Sequence, residues 1–205
     1  MWLPKLTFNN LSEEKKQRIL DAAVEEFAYH SYNEVKLSRI IKESKIPRGS
    51  FYQYFEDKKD LYIYLFEIIK LKKIEYMSAL LPNPENTPFL ELFRQLYVQG
   101  LEFAVDNPKY VMITMYLINS RGSIYDEIIG DGLKLAKQWY ISYIEEDKKR
   151  HRIAEDVDSD LLADLVIEAV TNIAYDQIKE GIDLDKSKML KRVDGILKIL
   201  RKGIE

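Results

Sequence analysis

Apolar residues recur at helical spacing along nearly the whole chain, and no stretch alternates at the two-residue period of a strand. Ile19, Ala22, Ala23 and Phe27 share one face. Ser12 precedes them as an N-cap residue, followed by Glu13 and Glu14, which suit the positive end of a helix, so a first helix is predicted to about Tyr29. Leu37, Ile40 and Ile41 predict a short second helix, and Pro47 marks the start of a third. A long helix is expected from about Asp57 to Leu81, with Leu61, Leu65, Ile68 and Ile69 inward. Pro82, Pro84 and Pro88 end it and open another, running through Leu90, Phe93, Tyr97 and Phe103. Asn107-Pro108 is a further stop and start, giving an apolar helix to about Ile118. A helix from about Ser123 to Arg150 follows, weakened at Gly130 and Gly132, and then two more, over about Ser159–Glu180 and Lys186–Arg201. The expected fold class is all-α.

Composition narrows the chemistry. At 205 residues, 46% apolar and 32% charged, the chain can bury a sizeable core. It has no cysteine and only two histidines, His30 and His151, so thiol chemistry is excluded and no metal site or cofactor is expected. Carboxylates sit on polar helix faces and neither histidine adjoins an obvious nucleophile, so an enzyme is not expected. Asp156, Asp158 and Asp160 imitate a calcium loop, but Leu161 stands in place of its glycine and Ile167 in place of its closing glutamate; helix capping is the better role. The longest apolar run, Tyr110–Ile118, is too short for a membrane span, and the amino terminus lacks a signal pattern, so a cytoplasmic protein is expected.

The net charge of -3 hides a local excess of positive charge. Between residues 36 and 59, Lys36, Arg39, Lys42, Lys45, Arg48, Lys58 and Lys59 outnumber Glu43, Glu56 and Asp57. Two short helices joined by a turn at Ser44–Pro47 have the spacing of a helix-turn-helix. Ile40, Ile41, Ile46, Phe51 and Phe55 can pack beneath it, which turns Arg48, Gly49, Ser50, Tyr52 and Gln53 toward solvent. In such motifs the start of the second helix enters the major groove. Arg48 suits guanine and Gln53 adenine. Ser50, Tyr52 and Tyr54 carry hydroxyls for phosphates, and Lys58 and Lys59 add charge. Gly49 costs a helix roughly 1 kcal/mol relative to alanine, which points to close approach by something, here DNA backbone.

RILDAAVEEFA (residues 18–28) followed by IPRGSFYQYFEDKKDLY (residues 46–62) resembles the TetR family of bacterial transcriptional regulators. The resemblance covers the first third of the chain. It implies a base-reading role for Arg48, Gly49 and Ser50, phosphate contacts from Tyr52 and Lys58, operator-dependent contacts from Gln53 and Tyr54, and a DNA contact from Ser38. Two residues depart from the family pattern. Lys45 stands at the turn glycine, implying a left-handed backbone at some cost. Lys36 stands where a Ser or Thr caps the second helix.

The expected division is a DNA-binding domain at 1–56, with residues 1–10 as an arm, and a larger helical domain at 57–205. The arm, with Trp2, Lys5 and Phe8, is consistent with touching DNA, packing on the domain or staying disordered. Tyr97, Phe103, Tyr110, Met112, Met115, Tyr116, Trp139, Tyr140 and Tyr143 are the candidates to line a cavity for a mostly apolar or aromatic small-molecule effector. Leu161, Leu162, Leu165, Val166, Ala169 and Ile173, then Val193, Ile196, Leu197 and Leu200, give the last two helices apolar faces. The resemblance implies that both helices form a homodimer interface, and two operator half-sites require two symmetric readers. The implied function is a ligand-responsive repressor of a double-stranded, pseudo-palindromic operator. The alternative is a helical interaction module of the same fold without specific DNA binding.

Overall fold

A computed structural model describes residues 4–78, 87–120, 122–168 and 185–204, and every regular element among them is helical. In chain order these are α1 (Leu6–Asn9), α2 (Glu13–Tyr29), α3 (Leu37–Glu43), α4 (Arg48–Tyr54), α5 (Lys58–Ser78), α6 (Phe89–Asp106), α7 (Pro108–Ser120) and α8 (Ser123–Tyr125). A five-residue π-helix at Asp126–Gly130 leads into α9 (Asp131–Lys149), and α10 (residues 159–168) and α11 (Lys186–Ile204) follow. The helix expected over 123–150 is therefore present without a gap, and its weak point at Gly130 is the last residue of the π segment.

The chain forms two compact units, one of Met1–Lys73 with Asn107–Ile128 and one of Ile74–Asp106 with Ile129–Glu205. A boundary at 56/57 does not match them. The first half of α5 buries Leu61, Tyr62 and Leu65 in the first unit, and α7 packs along α2 there. The Tyr62 ring lies 4.6 Å from that of Phe27 and 5.0 Å from that of Tyr32. Beneath the helix-turn-helix, Ile40, Ile41, Ile46, Phe51 and Phe55 are all buried. Lys109 bonds Glu25 between α7 and α2.

The second unit is centred on Phe89, Leu92, Phe93, Leu96, Tyr143, Ile144, Leu162, Val166, Met189 and Val193, drawn from α6, α9, α10 and α11. Asp147, near the end of α9, is almost wholly buried, and both its carboxylate oxygens are used. Oδ2 accepts the Phe89 N–H at 2.8 Å, capping the start of α6 from a distance, and Oδ1 accepts from Arg152 at 3.1 Å. His151 takes the left-handed conformation (φ 55°) that lets Arg152 N–H return to the Asp147 carbonyl at 2.8 Å. Asp158 caps α10, its Oδ1 accepting the amides of Asp160 and Leu161 at 2.9 and 3.1 Å. That is the capping role the acidic run suggested.

Candidate nucleic-acid interface

The turn between α3 and α4 is built from its own backbone. Ser44, Lys45 and Ile46 N–H groups donate to the carbonyls of Ile40, Lys42 and Ile41, and Lys45 sits at φ 54°. Lys45 thus occupies the left-handed region in place of a glycine. Helix α3 has no side-chain cap from Lys36. Instead the buried Glu26 of α2 accepts the Lys36 N–H at 2.9 Å, and Arg39 reaches the same carboxylate oxygen at 3.4 Å. Arg39 also donates to His30 Nε2 at 3.0 Å, so the His30 proton lies on Nδ1, 3.1 Å from the Glu26 carbonyl. At the other end of α3, Arg18 Nε donates to the Ser44 carbonyl at 3.0 Å.

On this base Ser38, Arg48, Gly49, Tyr52 and Gln53 are exposed and Ser50 is half-buried. A methyl group at Gly49 would lie in open space, with no atom within 4 Å apart from its chain neighbours and the backbone of its own helix. Nothing inside the protein requires glycine there.

Two expected DNA contacts are corrected by their surroundings. Tyr54 is buried (5% exposed), its ring 6.1 Å from that of Phe8, so its side chain belongs to the core and not to the exposed face of α4. The helical period explains this, because Tyr54 lies one turn beyond the buried Phe51, on the same side. Lys58 is tied inward. Its ammonium donates to the carbonyls of Tyr32 at 2.6 Å and Val35 at 3.3 Å and lies 4.5 Å from the Tyr32 ring centre, and burial lowers its pKa. Lys59 is engaged too, 2.6 Å from Glu127, whose hydrogen bond raises the lysine's pKa. The exposed positive charge around the turn comes from Lys42, Lys45 and Arg48.

The candidates for an effector cavity are divided. Tyr110, Met115 and Tyr116 belong to the first unit, and Tyr97, Phe103, Trp139, Tyr140 and Tyr143 to the second. Within the second, Trp139 stacks edgewise on Tyr143 (centroids 4.8 Å apart), and Tyr140 meets both Phe89 and Phe93 at about 6 Å. Phe103 meets Tyr76 at 5.5 Å. Tyr97 differs from the rest. Its hydroxyl is the one buried side-chain polar atom among the described residues without a hydrogen-bond partner, and burial pushes its pKa up to about 12.

The dimer candidates are also sorted by burial. Leu161 and Leu165, one turn apart on α10, are about half exposed. Val193 and Leu197 are buried in the second unit's own core, with Ile196 and Leu200 packed against it, so these four serve the subunit first. Ala169 and Ile173 lie outside the described residues. Ile199, 73% exposed on α11, was not among the candidates, although its position off the stripe of Val193, Ile196 and Leu197 sets it apart.

An all-helical chain whose second short helix shows an exposed, basic and glycine-containing start is a helix-turn-helix protein. Residues 19–65 match the family model of bacterial regulatory proteins, tetR family. The chain is 24% identical, over 86% of its length and 91% of the relative's, to the uncharacterized HTH-type transcriptional regulator YhgD of Bacillus subtilis. A TetR family transcriptional regulator from Chloroflexus aurantiacus has a similar structure (TM-score 0.78, 26% identity, 98% of both chains covered). So does the transcriptional regulator FadR from Bacillus subtilis in complex with stearoyl-CoA (TM-score 0.72, 20% identity, 92% of this chain and 99% of that one). Residues 19–65 thus carry the amino-terminal domain of the TetR family, and the chain as a whole has the fold of a TetR family transcriptional regulator.

Proposed function

We propose that the protein is a ligand-responsive transcriptional regulator that binds a pseudo-palindromic operator as a homodimer and represses transcription. A small, largely apolar or aromatic molecule bound by the carboxy-terminal helices releases the DNA. The observation that carries DNA recognition is the free face at the start of α4. Arg48, Tyr52 and Gln53 are exposed beside Gly49, where a side chain would meet nothing in the protein. Arg48 is the base reader for guanine, Gln53 pairs with adenine, and Ser38, Ser50 and Tyr52 hold phosphates.

The effector reading is supported by Tyr97, a buried hydroxyl lacking the partner that such groups nearly always have. The stearoyl-CoA bound by the similarly folded FadR makes a long-chain acyl thioester the first compound to try. Release requires that the effector favour one spacing of the two reading heads over the other. The half-exposed Leu161 and Leu165 support dimerisation through α10.

A fluorescence anisotropy titration of a labelled duplex at low salt, repeated at rising salt, tests the DNA reading. Binding whose logarithm falls linearly with the logarithm of salt concentration is expected. No binding at the lowest salt contradicts the proposal and favours the interaction-module alternative.

A further inference from the structure

We propose that the amino-terminal arm is a positioning element for the recognition helix, holding the carbonyls of the residues that face DNA; this rests on the DNA-binding reading above. Helix α4 is only seven residues long, and the last four carbonyls of any helix lack intrahelical partners. In α4 these belong to Phe51, Tyr52, Gln53 and Tyr54. The Phe51 carbonyl accepts the Phe55 N–H at 2.9 Å. The other three all go to the arm. Lys5 Nζ donates to the Tyr52 carbonyl at 3.0 Å, the Thr7 hydroxyl donates to the Gln53 carbonyl, and the Lys5 N–H donates to the Tyr54 carbonyl at 2.9 Å.

No basic residue lies in the last turn of α4, so Lys5 supplies from 47 residues away the cation that the negative helix end favours. Glu56, 3.4 Å from the same ammonium, steadies it. Phe8 anchors the arm. It is fully buried, with its ring 4.9 Å from Phe55 and 5.5 Å from Tyr64. One short segment thereby fixes the backbone of Tyr52 and Gln53, two of the residues assigned to DNA. Side chains must be held within about half an ångström to make bidentate contacts to bases, and a frayed last turn would not hold them. The arm acts through α4 and need not touch DNA itself.

The test uses the full chain with Thr7→Val, which keeps the shape and removes the hydroxyl, alone and combined with Lys5→Met. Thr7→Ser serves as the restoring variant. Two readouts are taken: amide hydrogen exchange in residues 52–55, and affinity for a duplex recovered by selection from a random library. Exchange in 52–55 should quicken at least tenfold in the double variant while the exchange of α2 and α5 is unchanged. Duplex affinity should fall about tenfold, and Thr7→Ser should restore most of both. Unchanged exchange in 52–55, or wild-type affinity despite faster exchange, overturns the proposal. A wild-type chain that binds no duplex sinks the DNA reading instead, and the positioning role for DNA falls with it, whatever the exchange shows of the cap.

Discussion

Replacing Gly49 with alanine separates what the fold needs from what DNA needs. At the second position of α4 the Gly49 amide has no intrahelical partner and is free to meet a phosphate. Beyond its chain neighbours and the backbone of its own helix, the added methyl would meet no atom within 4 Å. Folding therefore gains the helix preference of alanine over glycine, about 0.5–1 kcal/mol, which for a chain of this size raises Tm by roughly 1–4 °C. Binding should change the other way. A methyl between the helix start and the DNA backbone holds the phosphate away from the amide and removes a charge-assisted hydrogen bond of about 1.5–3 kcal/mol. Affinity then falls roughly ten- to hundredfold. Thermal denaturation and anisotropy titration of one preparation give both numbers. A variant that is more stable yet binds duplex as tightly as wild type would refute the claim that DNA approaches Gly49.

Other substitutions divide the remaining roles. Arg48→Ala should lose discrimination at one operator position by about 1–3 kcal/mol, read by titrating duplexes mutated one position at a time. Lys58→Ala, by contrast, should leave the salt slope of binding unchanged and destabilise the fold by about 1–3 kcal/mol, because the Tyr32 and Val35 carbonyls lose their donor. Tyr97→Phe removes an unpartnered buried hydroxyl and should stabilise the protein by about 1 kcal/mol while weakening an effector that uses the hydroxyl, which calorimetry would detect. Burial raises the Tyr97 pKa to about 12, so the folded state keeps a proton that the unfolded state loses above the ordinary value of 10.0; stability falls as pH rises between the two, and the variant should lack that part of the alkaline decline. Leu161→Lys with Leu165→Lys should keep the fold, since both leucines are about half exposed, and shift sedimentation from dimer to monomer; a persistent dimer would place the interface elsewhere.

The helices and the exposed start of α4 were legible because they depend on local pattern. Ile40, Phe51 and Phe55 recur at the helical period and are buried, and α2 occupies the span that its flanking residues predict. The left-handed turn at Lys45 was legible through the resemblance alone, because Lys45 stands where the family has its turn glycine. What sequence could not show is where distant groups land. Lys36 looked like a missing cap, and Glu26, ten residues earlier, supplies it. Lys58 looked like a phosphate anchor because a lysine in sequence carries no sign of the carbonyls it will meet. The arm had three possible fates, and only the fold brings Lys5 and Thr7 to the end of α4. Val193 and Leu197 could serve one subunit or two from their pattern alone, and the core of the second unit takes them.

Selection of duplexes from a random library at moderate salt, followed by sequencing, is the most direct test of the central claim that the start of α4 reads DNA as part of a symmetric dimer. The account predicts recovery of one palindromic motif whose half-site centres lie about one helical turn, or a multiple of it, apart. A folded, dimeric protein that enriches no motif would contradict it.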